Sequence, residues 1–124
     1  MSQLRFFNTP LSTTDSPAHK EVMDLLKEFC EEVDRVTHSE VTCAMVPGFT
    51  TGIGQEYRAK AHSQHKNIDH ILFRAYVPVD GLPVNLDFYE EEMKRCERVD
   101  DVSTALANFA QLDSTRETLR LLSQ

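Results

Sequence analysis

Val22, Leu25, Leu26, Phe29, Val33 and Val36 recur at intervals of three and four. That spacing lines side chains along one stripe of a helix with 3.6 residues per turn. Charged residues from Lys20 to Arg35 fill most of the remaining positions. Ser16-Pro17 stands at the start of the stretch. Serine accepts a free backbone N–H as an N-cap, and proline at the first helical position gives up a donor that has no partner there. The pattern predicts a helix of about 20 residues, about 30 Å long.

The period then changes from helical to two. Residues 40–46 are rich in β-branched types and read as a strand, with Pro47 and Gly48 ending it. Residues 48–54 carry Gly48, Gly52 and Gly54 and read as a flexible loop. Over residues 55–62, Tyr57, Ala59 and Ala61 alternate with Glu56, Arg58, Lys60 and His62, the signature of a half-buried strand. Residues 63–69 form a polar connection.

Residues 71–89 predict a hairpin about Asp80-Gly81, a favoured two-residue turn whose central positions both need positive φ. That turn sets Val77 opposite Val84, Ala75 opposite Leu86 and Phe73 opposite Phe88, all on one apolar face. It sets Tyr76 opposite Asn85 and Arg74 opposite Asp87 on the other, the latter an opposite-charge pair across the ladder. Pro78 and Pro83 fall opposite each other near the tip, where their missing N–H groups point outward and discourage further strands.

Beyond Tyr89 two patterns compete. Glu90-Glu91-Glu92 suits a helix start, and residues 93–98 suit a short edge strand. Asp100 or Asp101 is expected to cap a helix carrying Val102, Ala105, Leu106 and Phe109. Ser114, three residues before Glu117, has the spacing of a second cap. The sum is an α+β fold: an antiparallel sheet of about four strands, to which the edge-strand alternative at residues 93–98 would add a short fifth, and a long N-terminal helix and C-terminal helices packed on one face. Residues 1–15, with Phe6-Phe7, are expected to form an irregular arm and residues 16–124 a single domain.

Composition narrows the classes. At 124 residues, 40% hydrophobic and 27% charged, the chain is an ordinary globular one. No apolar run approaches the roughly 20 residues of a membrane span. Residues 1–11 lack the apolar region of a signal peptide, so a cytoplasmic location is expected. A formal net charge of −7 disfavours nucleic acid as a partner. Three well-separated cysteines, Cys30, Cys43 and Cys96, argue against a disulfide framework or a zinc ribbon.

Candidate chemistry is sparse. His62, His65 and His70, with Asp69, hold potential metal ligands, but their spacing matches no recognised metal motif. Cys43 beside a histidine would make a nucleophile–base pair, whereas a cysteine on an apolar strand is commonly a small core residue. The glycines of residues 48–54 could offer N–H groups to an anion, but no Walker lysine follows. No catalytic residue, metal or cofactor is assigned. One surface stands out: if the strand at 55–62 lies beside the hairpin, Arg58, Lys60, Arg74, Tyr76 and Asp87 share the face away from the core. Such a face suits an acidic peptide, a carboxylate or a phosphate. The expectation is a non-catalytic interaction or regulatory module binding another protein, with homodimerisation as an option. The competing expectation is a small enzyme or ligand-binding protein using residues 48–54 and the nearby histidines.

Overall fold

The computed structural model describes residues 5, 6, 9, 11, 15–52 and 54–124. Helix α1 spans Pro17–Val36, where the apolar stripe lies. Ser16 Oγ accepts the His19 N–H at 3.1 Å and donates to the Asp80 carbonyl at 2.8 Å. One cap thereby starts the helix and ties it to a distant turn. Val22, Leu26, Phe29 and Val33 are buried, but Val36, the last residue of the stripe, is 67% exposed. His38 and Ser39 adopt positive φ and turn the chain sharply. Thr37 Oγ1 donates to the Val33 carbonyl at 2.8 Å and accepts the Val41 N–H at 3.2 Å, joining the helix end to the first strand.

Five strands follow as an antiparallel meander in sequence order: β1 Val41–Thr50, β2 Gly54–Ser63, β3 Ile68–Pro78, β4 Val84–Asp87 and β5 Lys94–Cys96. Helices α2 (Val99–Gln111) and α3 (Asp113–Ser123) complete the chain. The α+β architecture, with the first helix leading and two helices at the C-terminal end, is the one expected. The fifth strand is present, so the edge-strand pattern prevails over the helix pattern near Glu90.

Several local expectations are corrected. Strand β1 runs through Pro47 and Gly48 to Thr50, and the loop at 48–54 shrinks to a turn closed by the Thr51 N–H and the Gly54 carbonyl at 2.7 Å. Ile53 lies outside the described residues, as do Phe7 and much of the arm; Phe6 is exposed, with Arg5 over its ring. The polar connection is tighter than expected, because β2 and β3 pair as far as Ser63 and Ile68. The 71–89 hairpin has the expected register, with Ala75 opposite Leu86 and Tyr76 opposite Asn85. Its turn is different: the Gly81 N–H bonds the Pro78 carbonyl, so Val79 and Asp80 are the central residues, and only Gly81 has positive φ. Gly81 is required for another reason as well, since a Cβ there would meet the His19 backbone nitrogen at 2.3 Å. At the C-terminal end, Arg98 is the N-cap of α2 and Asp101 sits three residues inside, its Oδ2 accepting the Arg98 N–H at 3.1 Å. Helix α3 starts from Leu112, not Ser114.

Helices α1, α2 and α3 lie on one side of the sheet. Phe29 of α1, Phe73 of β3, Phe88 and Phe109 of α2 form the centre of the core, with Phe88 and Phe109 stacked at 4.5 Å and Phe73 edge-on to its neighbours at 5.3–5.7 Å. Such pairs add about 0.5–1.5 kcal/mol each beyond the area they bury.

Candidate outer-face site of the sheet

Among the described residues, the opposite face of the sheet carries no helix. Strand alternation delivers Glu56, Arg58, Lys60 and His62 of β2 to it, with Arg74 and Tyr76 of β3. In the ladder Arg58 lies directly opposite Arg74, and Glu56 directly opposite Tyr76. Two like charges in register across a sheet repel, and a carboxylate between them offsets that cost. Glu56 Oε1 accepts from Arg58 Nε at 2.9 Å, and Oε2 lies 3.8 Å from Arg74 Nη1.

Glu56 is only 2% exposed although it stands on the uncovered face. Gly48 allows this, because any Cβ there would lie 1.9 Å from Glu56 Oε1. The bulge of β1 between Pro47 and Thr50 also turns the Phe49 N–H onto the same oxygen at 3.3 Å. Burial alone pushes the Glu56 carboxyl up, but the Phe49 N–H, the Arg58 hydrogen bond and the charges of Arg58 and Arg74 outweigh it and hold the group below its usual range.

Each arginine rests on an aromatic ring. Arg58 Cζ is 5.4 Å from the centroid of Phe49, and Arg74 Cζ 5.3 Å from that of Tyr89. Tyr89 reaches this face because its backbone takes a positive φ, held by Asp87 Oδ1 accepting the Tyr89 N–H at 2.9 Å. Arg74 Nε also donates to the Tyr89 hydroxyl at 2.8 Å. Cation–π contacts of this kind contribute about 0.5–1 kcal/mol at exposed sites. The Arg58 and Arg74 side chains remain 32% and 38% exposed.

The residues singled out from sequence therefore divide into groups. Arg58, Arg74 and Tyr76 surround Glu56. Lys60 turns away to Asp69 at 3.8 Å, and His62 Nδ1 lies 2.7 Å from the same carboxylate. The His62 hydrogen bond, opposed by some desolvation, and the Lys60 charge hold Asp69 below its ordinary pKa. Asp87 stands opposite Arg74 in register, but among the described residues it makes no ion pair with it and spends Oδ1 on Tyr89 instead. Sequence reasoning placed Glu56 on this face but left it out of the candidate site, and missed Phe49 and Tyr89. The usable signal was Glu56 itself, in phase with Arg58 on the polar face.

The alternative site does not assemble as one unit. Gly54 opens β2 and His62 lies near its far end, which separates the turn from the histidines by about 26 Å at roughly 3.3 Å per residue. His65 pairs with Glu40 and His62 with Asp69. Among the described residues no three His, Cys, Asp or Glu side chains converge to hold a metal.

Both sheet edges are blunted. In β1 the N–H groups of alternate residues point away from β2. That of Val41 is taken by Thr37 Oγ1 and that of Cys43 by Asp34 Oδ1 at 2.8 Å, while Pro47 has none. Strand β5 is three residues long and carries exposed Lys94 and Arg95. These are the devices that discourage added strands. On the helical side, a groove of about 690 Å³ runs between α1 and the C-terminal helices, floored by Phe29, Val33 and Leu106. Glu28 and Glu32 line one rim, Arg116 and Arg120 the other.

No family model, curated protein or solved structure matches the chain. Among the described residues no helix is long and apolar enough to cross a membrane.

Proposed function

We propose that the protein is a non-catalytic interaction module whose outer sheet face receives an acidic segment of a partner protein. The observation that carries this reading is the placement of Arg58 directly opposite Arg74, with one buried carboxylate between them. A sheet gains nothing from two cations in register, whereas two braced guanidiniums suit the bidentate recognition of a carboxylate. Phe49, 70% exposed, and Tyr89 supply apolar shoulders on either side. The blunted edges favour a partner that docks on the face over one that adds a strand.

Affinity capture from the native host tests the reading, alongside an array of short peptides graded in acidic content. Arg58→Glu/Arg74→Glu is the control, with its fold checked by circular dichroism. Native protein should retain acidic peptides and the captured partner, and the folded double mutant should lose both. Equal retention by the two proteins would rule this surface out.

Self-association is a second reading, favoured by the helical groove. Its rims carry opposite charges, so a two-fold axis would set the acidic rim of one copy against the basic rim of the other. Light scattering at low and high salt decides it: a dimer on this groove dissociates in Arg116→Glu/Arg120→Glu, and a monomer at high protein concentration rejects it.

A further inference from the structure

Cys30 of α1 and Cys43 of β1 meet across the helix–sheet interface, with their Sγ atoms 3.0 Å apart. That is closer than the roughly 3.5–4.0 Å of ordinary carbon contacts, although sulfur is the larger atom. It is about 1 Å longer than a disulfide bond of roughly 2.05 Å. Both are free thiols. Their surroundings are pinned from two sides. Asp34, one turn beyond Cys30 on α1, accepts the Cys43 N–H at 2.8 Å, and Thr37 joins the helix end to Val41. These contacts hold the end of α1 against the start of β1 on either side of the two thiols. Cys96 is buried in β5, at the other edge of the sheet.

We propose that Cys30 and Cys43 form a reversible disulfide that locks α1 onto β1. The oxidant is a low-molecular-weight disulfide of the glutathione type. Cys43, half-buried on an edge strand, is the more accessible of the pair; Cys30 is 4% exposed. The Cys43 thiol loses its proton and its sulfur attacks one sulfur of the oxidant, whose S–S bond breaks and releases a small thiolate. Cys30 then loses its proton and attacks Cys43 Sγ, expelling the second small thiolate. The two protons and two thiolates make two small thiols. The protein dithiol gives up two electrons and the oxidant takes them.

The two steps differ in rate. The Cys30 hydrogen bond, burial and the Asp34 carboxylate push the Cys43 thiol up, so little thiolate exists near neutral pH and the first attack is slow. The second attack is intramolecular between neighbouring sulfurs and follows at once. No mixed disulfide accumulates on the native chain.

The test uses the whole chain, reduced, then incubated at about pH 8 with graded ratios of oxidised to reduced glutathione. The reaction is quenched in acid, alkylated, and read by intact mass and peptide mapping. The expected product is a monomer lighter by two hydrogens, with Cys30 bridged to Cys43 and Cys96 alkylated as a free thiol. Cys30→Ser should trap a glutathione adduct on Cys43, because the resolving sulfur is gone. Cys43→Ser should leave both remaining thiols reduced. A bridge to Cys96, a stable adduct on Cys43 in the native chain, or two thiols still reduced in glutathione disulfide alone would each overturn the proposal. Should a serine variant fail to fold by circular dichroism, the native chain's peptide map decides the matter.

Discussion

Strands β2 and β3 present two faces that are both partly closed to water, by different physics. On the helical face Ala59, Ala61, Phe73, Ala75 and Val77 are buried because apolar area leaves water there, a non-directional gain of about 25 cal/mol per Å². On the outer face Glu56 is buried as deeply, with no helix of the described residues over it. It stays there through directional partners: one backbone N–H, two guanidiniums and a glycine that makes room. Removing a group from the first face leaves a cavity. Removing one from the second leaves a charge without its partner, so the two faces should answer mutation, pH and salt differently.

The largest effect should come from the apolar side. Phe73 is fully buried and touches the rings of Phe29, Phe88 and Phe109. Phe73→Ala is expected to cost about 3–5 kcal/mol in urea unfolding. Tyr76→Ala, three residues on but facing outward and half-buried, should cost about 1 kcal/mol or less. Similar losses for the two would erase the distinction between the faces.

That apolar face is legible in the residue pattern alone. Its members alternate with period two, and their placement follows from the register of Ala75 with Leu86, which the turn region sets even though its central residues are Val79 and Asp80. Helix α1 is legible because Ser16-Pro17 and the stripe agree. The length of β1 is not. Pro47 reads as a strand terminator, yet on an edge strand its missing N–H faces away from β2 and breaks no ladder bond. A sequence does not say which strand is an edge. The outer site is half legible for a similar reason. Alternation puts Arg58, Arg74 and Tyr76 on one face, but the bulge that brings Phe49 over Glu56 and the positive φ that swings Tyr89 onto Arg74 leave no periodic trace. Phase alone groups Lys60 with the arginines, and Asp69 draws it elsewhere.

The intermediate effect belongs to Glu56. Glu56→Gln keeps the shape and removes the charge, leaving Arg58 and Arg74 opposed with no counterion between them. A loss of about 1–3 kcal/mol at pH 7 is expected, the range for hydrogen bonds to charged groups and for partners left unsatisfied. Its pH dependence has a definite sign. The carboxyl of Glu56 titrates lower in the folded protein than the usual glutamate value of about 4.3. Its contribution is therefore fully present above that unfolded value and is lost as the pH falls through the lowered folded one. The stability gap between native protein and Glu56→Gln should be constant from pH 7 to about pH 5 and narrow below about pH 4. A gap independent of pH would show that shape, not charge, holds this residue.

The smallest effect on stability, and the sharpest on recognition, is expected from Arg58→Lys. Lysine keeps the positive charge near Glu56 but loses the planar fork and the broad face that lies over Phe49. With the side chain already about one-third exposed, the change should alter unfolding free energy by about 0.5 kcal/mol or less. If the outer face reads carboxylates through a fixed guanidinium edge, binding of acidic peptides should fall roughly tenfold, and added salt should weaken native and variant by similar factors. If the face attracts acidic chains by charge alone, Arg58→Lys should bind as the native protein does at every salt concentration. The comparison thus separates a built recognition site from a locally positive surface on an acidic protein.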